Sequence, residues 1–444
     1  MTPNINLENL QAEISDTNAP SDYLPVKTNY NECNWNIVAG YFLSFACGVE
    51  LNKYSKEDLE QDCKDELLSR QVSEEYFGVL RKAYFETDGY LNLAPKNLLL
   101  HTQDDQKSKV NSASKKVATA LSTLLGDQEI QLSNAEDNHF IAELISSTLA
   151  SKFTQKSQNG RPKPYLPFLY ERFLGDLCFL IKKPTYFVEN IANLLALYNF
   201  LHISQLALNL KEWKSGEPSS KPLFFIIENE RVSSERSNVI DMGWNSFASA
   251  SRNLFPILSI LQTIQSKDNK KPLWQLFIEI NASAEKQKYI DAIDDFSSRF
   301  IEARKLRNMT FEASTNVEES IEQLVDLALA QFDKRFADPS TTRYQANEKV
   351  VAALKEHTAK GFVKARGRIG NILVLSLDNL LLLTNLIIGT RNQLRFDELI
   401  DEFKGRGIYF DESSEEKLIE IFERIGNVER KSDSGDDLNV RQTI

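Results

Sequence analysis

Between Arg343 and Arg368 the chain carries seven lysines and arginines, at 343, 349, 355, 360, 364, 366 and 368, against two acids, Glu348 and Glu356. That local balance of +5 stands out in a protein whose formal net charge is −11. Lys360, Lys364 and Arg368 are four apart, which puts them on one face of a helix whose other side takes Val350, Val351, Leu354 and Phe362. Such a strip, with Arg366 beside it, suits the phosphates of double-stranded DNA: each cation releases counterions and positions the chain without reading base sequence. The competing reading is a solvated helix face, or one that pairs with an acidic protein surface.

Other residue types capable of chemistry are scattered. A metal-dependent nuclease needs only a few carboxylates and a lysine around magnesium. Glu212-Trp213-Lys214, Glu402-Phe403-Lys404 and Glu415-Glu416-Lys417 have that composition, but all three sit at the ends of expected helices rather than on a strand behind an Asp. With 63 acids in the chain, such triplets arise by chance. His101, His139, His202 and His357 are far apart and fit no zinc spacing, and neither a GxxxxGK[ST] phosphate loop nor a GxSxG elbow occurs. Cys33, Cys47, Cys63 and Cys178 form no CxxC pair, so reduced, buried thiols in a reducing cytosol are expected. No catalytic, cofactor-binding or metal-binding residue is assigned, and enzymatic activity is not expected.

The elements that must position the basic strip are mostly helices. Helical spacing of apolar residues runs through Lys56 to Arg70, Glu136 to Lys152, Thr185 to Lys211 and Glu319 to Phe332. Only Leu223 to Ile227 reads as a short apolar run that a buried strand or part of a helix would fit equally well. The polar breaks at Gln155 to Pro164 and near Asp338-Pro339-Ser340 suggest helical units over 1–155 and 160–338 and a carboxy-terminal unit over 340–444. A chain of 444 residues exceeds the usual span of one core, which agrees with several units. Ile369 to Ile388 is about long enough to cross a bilayer, but Asp378 at its centre favours a helix buried in protein, so no membrane contact is expected. The amino terminus lacks the basic start and apolar run of a signal peptide, and a cytoplasmic location is expected.

The last fifty residues carry a distinct pattern. Phe396, Leu399, Ile400 and Phe403 mark a short amphipathic helix closed by Lys404-Gly405-Arg406-Gly407, and Ile408-Tyr409-Phe410 suits a small strand. Asp411 or Ser413 can cap the next helix, where Leu418, Ile419, Phe422 and Ile425 share a face. Gly426-Asn427 can stop it, and Ser434-Gly435-Asp436 can turn a hairpin. The fold class expected is therefore mainly α, with a multi-helical amino-terminal and middle part and a winged-helix-like carboxy-terminal module carrying a small β-hairpin. That module does not suit DNA reading, since residues 395–444 hold eight Lys/Arg against fourteen Asp/Glu. Glu415, Glu416, Glu420 and Glu423 on the would-be recognition helix would meet phosphate repulsion. Only Arg430, Lys431 and Arg441 on the wing favour contact with DNA.

Three stretches carry a family likeness. The segment RGIYFDESSEEKLIEIFERIGNVERKSDSGDDLNV resembles the carboxy terminus of the DptG family of DNA phosphorothioation-dependent restriction proteins. Pro164 to Phe168 running into Phe173 to Leu177, and Leu223 to Trp244 (LFFIIENERVSSERSNVIDMGW), are similar to the same family; the first 150 residues have no counterpart. The resemblance implies a bacterial defence component that works with DptF-like and DptH-like ATPase subunits against DNA lacking the phosphorothioate mark. This chain would then be a scaffold or adaptor that bridges its partners and contacts DNA. It brings no catalytic residues to carry over. Two other classes compete: a divergent metal-dependent nuclease, and a stand-alone winged-helix DNA-binding protein.

Overall fold

A computed structural model describes residues 3–132, 140–156, 160–233, 235–430 and 438–444. The described chain is mainly helical, with three small sheets. Its axis is the helix Pro184–Asn209, which starts on a proline whose missing N–H would be unpaired there anyway. Apolar residues occupy every side of it: Phe187, Ile191, Leu194, Leu197, Phe200, Leu201, Ile203 and Leu206 are all buried. A helix apolar all round must be enclosed. Among the described residues Pro184–Ser215 is the one helical stretch long and apolar enough to cross a membrane, and 78% of that window is buried inside the fold. One hydrophobic core surrounds this helix and takes side chains from Ile5 to Val440. A second, smaller core gathers Leu51, Leu59, Cys63, Leu67, Phe77, Phe85, Ile145 and Leu149.

The expected helices occur as Lys56–Ser69, Phe140–Ala150, Pro184–Asn209 and Val317–Ala330. Part of the range expected for the second lies outside the described residues. Local chemistry sets their starts: Ser55 and Asp58 form a capping box, and the Asn316 side chain accepts from the Glu319 amide.

Leu223 to Ile227 resolves as the strand Phe225–Ile227. It runs parallel to Asn371–Leu375, whose other edge pairs antiparallel with Val363–Ala365. The middle strand is covered on both faces. Leu373 and Leu375 enter the main core, while Ile372 and Val374 meet Ile226 and Val239 in a third cluster, so it reads as a continuous apolar run. This corrects the expectation of one long buried helix over 369–388. The chain is a strand to Leu375 and a helix over Leu377–Ile388, divided at Ser376, whose side chain accepts from the Asn379 amide. Asp378 is thereby exposed in the first helical turn, where the helix dipole favours a carboxylate.

From that helix the chain continues through the strand Gln393–Arg395, the helices Phe396–Gly405 and Glu412–Ile425, and the strands Val428–Arg430 and Leu438–Arg441. The last strand lies between the other two, antiparallel to both. The anticipated turn at Ser434-Gly435-Asp436 lies outside the described residues. Asp411 caps the second helix by accepting from the Ser414 amide, and Gly426 ends it at φ 81°. Leu418, Ile421 and Phe422 are its buried face; Ile425, expected there, is exposed. Tyr409 of the expected small strand makes a single parallel bridge to Phe224.

Candidate nucleic-acid interface

The basic strip is not a helix. The helix Arg343–Ala353 widens into one π turn over Leu354–Thr358 and ends, after which Gly361 adopts φ 91° and the chain enters the strand Val363–Ala365. Gly367 (φ 53°) and Gly370 (φ 89°) then turn it back into the middle strand, closed by the Arg366 amide donating to the Gly370 carbonyl at 2.8 Å. Left-handed positions favour glycine and break a helix, so the four-residue spacing of Lys360, Lys364 and Arg368 marks a hairpin and its approach. The hairpin is anchored at its base by Phe362, whose ring stacks on Phe200 of the long helix at 4.8 Å between centroids.

On this frame the four cations differ. Lys360 and Arg368 are exposed. Lys364 is half-buried and donates to Glu228 Oε1 at 2.7 Å, and that hydrogen bond holds the Glu228 carboxyl below its ordinary range. Arg366 is half-buried, with its Nε enclosed and unpartnered. The hairpin thus presents two open cations at its base and tip, one neutralised lysine, and one arginine whose hydrogen-bonding capacity is incompletely used. Of the wing residues, Arg441 is exposed and pairs with Glu429. Arg430 belongs to a strand, but its side chain and the whole of Lys431 lie outside the described residues.

The carboxy-terminal helices present the opposite charge. Their exposed residues include Asp397, Glu398, Asp401, Glu412, Glu416, Glu420 and Glu423. Burial, helped by Asp411, Glu412 and Asp401 against the pull of Lys404, raises the Glu415 carboxyl above its usual range. A phosphate backbone laid along this face would meet carboxylates over about two helical turns.

Sequence reasoning missed a buried polar seam on which three stretches, 164–177, 223–244 and 406–440, converge. Arg406 is 4% exposed and donates from Nη2 to Asp176 Oδ1 at 2.7 Å and from Nη1 to Glu402 at 2.9 Å. Tyr198 also donates to Asp176. Asp176 belongs to the first stretch and Arg406 opens the last. Arg236, from the middle stretch, donates from Nε to Asp411 Oδ2 at 2.7 Å and from Nη2 to Ser414 at 2.8 Å, and it also reaches Glu230. Asp176 and Arg406 are the deep charges here, and their pairing and hydrogen bonds offset the cost of desolvation. The Asp176–Arg406 pair joins the helix Pro167–Ile181 to the end of Phe396–Gly405, and the Arg236 set joins the segment after the Phe225–Ile227 strand to the start of the Glu412–Ile425 helix. Gly407 completes the seam at φ 83°, since a Cβ there would lie 2.2 Å from the Gln205 amide. The available signal was an arginine between two glycines, Gly405-Arg406-Gly407, where side-chain-free neighbours let other groups close on the backbone.

The remaining chemistry-bearing residues do not assemble. Lys214 pairs with Glu318 and Glu322, Lys404 with Asp401, and Lys417 with Glu420. His101 lies 2.8 Å from Asp104, His202 is buried in the long helix, and His139 lies outside the described residues. Among the described residues no three His, Cys, Asp or Glu side chains are grouped to hold a metal ion. All four cysteines are free, but only Cys63 is fully buried: Cys178, expected inside, is exposed, on a helix face that the core does not use. No family model and no curated protein matches this sequence.

Proposed function

We propose that this chain is a non-catalytic scaffold or adaptor subunit of a bacterial DNA restriction complex that acts on DNA lacking phosphorothioate modification. The order of helix, strand, two helices and paired strands over 377–441, with the last strand between the first two, supports reading this part as a winged-helix-like module. In this reading that module docks a DptF-like or DptH-like ATPase subunit, and the basic hairpin over 360–370 touches duplex DNA. A cytoplasmic location follows from such a role.

The observation that carries the proposal is the division of charge. The outward faces of Phe396–Gly405 and Glu412–Ile425 are acidic, which disfavours phosphate there and suits a basic protein surface. The exposed cations Lys360 and Arg368 stand on a different element, braced by Phe362 against the central helix. The seam of Asp176, Arg236, Arg406 and Asp411 supports the same reading: the residues of the family-like stretches hold elements together, as a scaffold requires, rather than lining an open reaction site.

Co-expression with both ATPase subunits and purification through a tag on one of them tests the bridging role. The expected result is a three-component complex that loses this chain when the acids of Glu412–Ile425 are reversed to lysine. A chain that elutes alone when all three are present overturns it.

A further inference from the structure

A cleft of about 590 Å³ lies between residues 9–20 and the helices Leu254–Ile264 and Lys286–Arg304. Its size falls within the range of small-ligand sites, roughly 300–1,000 Å³. The amino-terminal segment crosses it as a strap, tied down by arginines that donate to its carbonyls: Arg299 to Leu10 and Ala12, and Arg304 to Asp16 at 2.8 Å. The floor is apolar, with Ile260, Phe296 and Phe300 buried. The strap adds Ile14, Ser15, Thr17 and Asn18 to the walls.

Arg304 is the anomaly in this cleft. It is 4% exposed, yet no carboxylate pairs with it. Its Nη1 holds the Asp16 carbonyl, its Nε has no partner, and the Phe300 ring lies 5.3 Å from the guanidinium carbon. Burial, with Arg343 nearby, pushes the guanidinium down to about 10. The Asp16 carboxylate points to solvent, 3.8 Å from Arg343. A ring face and one carbonyl offset the desolvation of a buried cation less well than an anion does. Two lysines stand at the same cleft: Lys270, already paired with Asp22, and exposed Lys267, which has no ion-pair partner among the described residues. The one acid in the lining, Glu13, is exposed at the rim on the strap.

We propose that this cleft binds a small organic phosphate, with the phosphate between Arg304 and Lys267 and a flat apolar body against Ile260, Phe296 and Phe300. The site shares no residue with the basic hairpin or the acidic helices and stands independently of the adaptor role. The anion supplies the counter-charge that Arg304 lacks, and the apolar floor selects an ester over free phosphate.

Isothermal titration of the full chain with phenyl phosphate and the four nucleoside monophosphates tests this, with phenol, adenosine and inorganic phosphate as controls. At least one ester is expected to bind at least tenfold more tightly than every control. Lys267→Glu, at an exposed position, is expected to weaken that ester at least tenfold without lowering the melting temperature, and Arg304→Met to abolish it. If Arg304 serves only to pin the strap, no ester binds, and the proposal fails. It fails equally if an ester binds but Lys267→Glu leaves its affinity unchanged. Inorganic phosphate binding as tightly as the best ester would overturn the role assigned to the apolar floor.

Discussion

The rings of Phe200 and Phe362 stack almost parallel, with planes 8° apart and centroids 4.8 Å apart. Phe200 also meets Phe225 and Phe247 edge-on, so one residue of the long helix contacts the sheet, the start of the basic hairpin and a further helix. Phe362 comes directly before the Val363–Ala365 strand, and its carbonyl accepts from the Val374 amide at 2.8 Å. The presentation of Lys360 and Arg368 therefore depends on packing some distance from any charge.

Phe362→Ala removes a ring that is 3% exposed and leaves a cavity against Phe200. The expected cost is about 3–5 kcal/mol, with Phe362→Leu costing less. Denaturant titration reads the global loss, and hydrogen exchange should show amides 363–374 exchanging faster than those of the long helix. Uniform acceleration across both would contradict a local anchoring role.

The Asp176–Arg406 pair gives a second prediction. Arg406→Met leaves the Asp176 carboxylate buried with only Tyr198 as a side-chain donor, and a loss of about 3–5 kcal/mol is expected. The double change Asp176→Leu with Arg406→Met removes the stranded charge and should recover a large part of that loss. A double variant as unstable as the sum of its singles would show that the two do not act as a pair.

Gly407→Ala should destabilise by a similar mechanism of enforced fit. The residue sits at φ 83°, and a methyl group would press on the Gln205 side chain at 2.2 Å. Gln205 is itself fixed, accepting from the Lys221 amide and donating to the Lys221 carbonyl at 2.9 Å each. Backbone strain alone is worth about 1–3 kcal/mol, so thermal melting should fall by several degrees. Gly361→Ala, also at positive φ but with nothing within 4 Å, isolates the backbone part of the effect.

These cases mark what the sequence made legible. Helix positions were readable because their apolar residues recur at helical spacing and their caps are local, as at Ser55 with Asp58. The hairpin over 363–375 was not readable as such. Lys360, Lys364 and Arg368 keep a helical interval by coincidence, and only Gly361, Gly367 and Gly370 reveal that the backbone cannot continue as a helix. The break at Ser376 had a visible signal, a serine three residues before Asn379, inside a run whose hydrophobicity alone suggested one element. Nothing local announced that Asp176 would meet Arg406, or Arg236 meet Asp411. Those pairs are 230 and 175 residues apart and exist only once the strand pairing has brought the segments together.

His202 supplies a pH dependence. It is 1% exposed, its Nε2 has no partner, and burial pushes its imidazole down to about 4 from an ordinary 6.5. The unfolded chain therefore binds the proton more readily than the folded one. The stability tied to neutral His202 is complete above about pH 6.5, declines as pH falls from there toward 4, and is lost below that, for a total of about 3 kcal/mol. Carboxylates titrate over the lower part of the same range, so the comparison is with His202→Leu. The unfolding free energy of the parent should fall by about 3 kcal/mol relative to that of His202→Leu as pH drops from 6.5 to 4. Parallel curves would mean that the imidazole is protonated in the fold or reaches solvent.

Charge reversal on the hairpin separates DNA contact from structure only if Lys364 is left alone. Its ammonium neutralises Glu228, so Lys364→Glu would set two carboxylates together and loosen the strand edge whether or not DNA is bound. Lys360 and Arg368 are exposed, and the double change Lys360→Glu with Arg368→Glu should leave the melting temperature within a degree or two. If both contact phosphates, the double variant should bind duplexes of any sequence more weakly by a similar factor. Its plot of log affinity against log salt should flatten by about 2, since each lost phosphate contact removes about 0.9 from the slope. An unchanged slope with unchanged affinity would assign the hairpin to a protein surface, because a cation that touches phosphate cannot be reversed without altering counterion release.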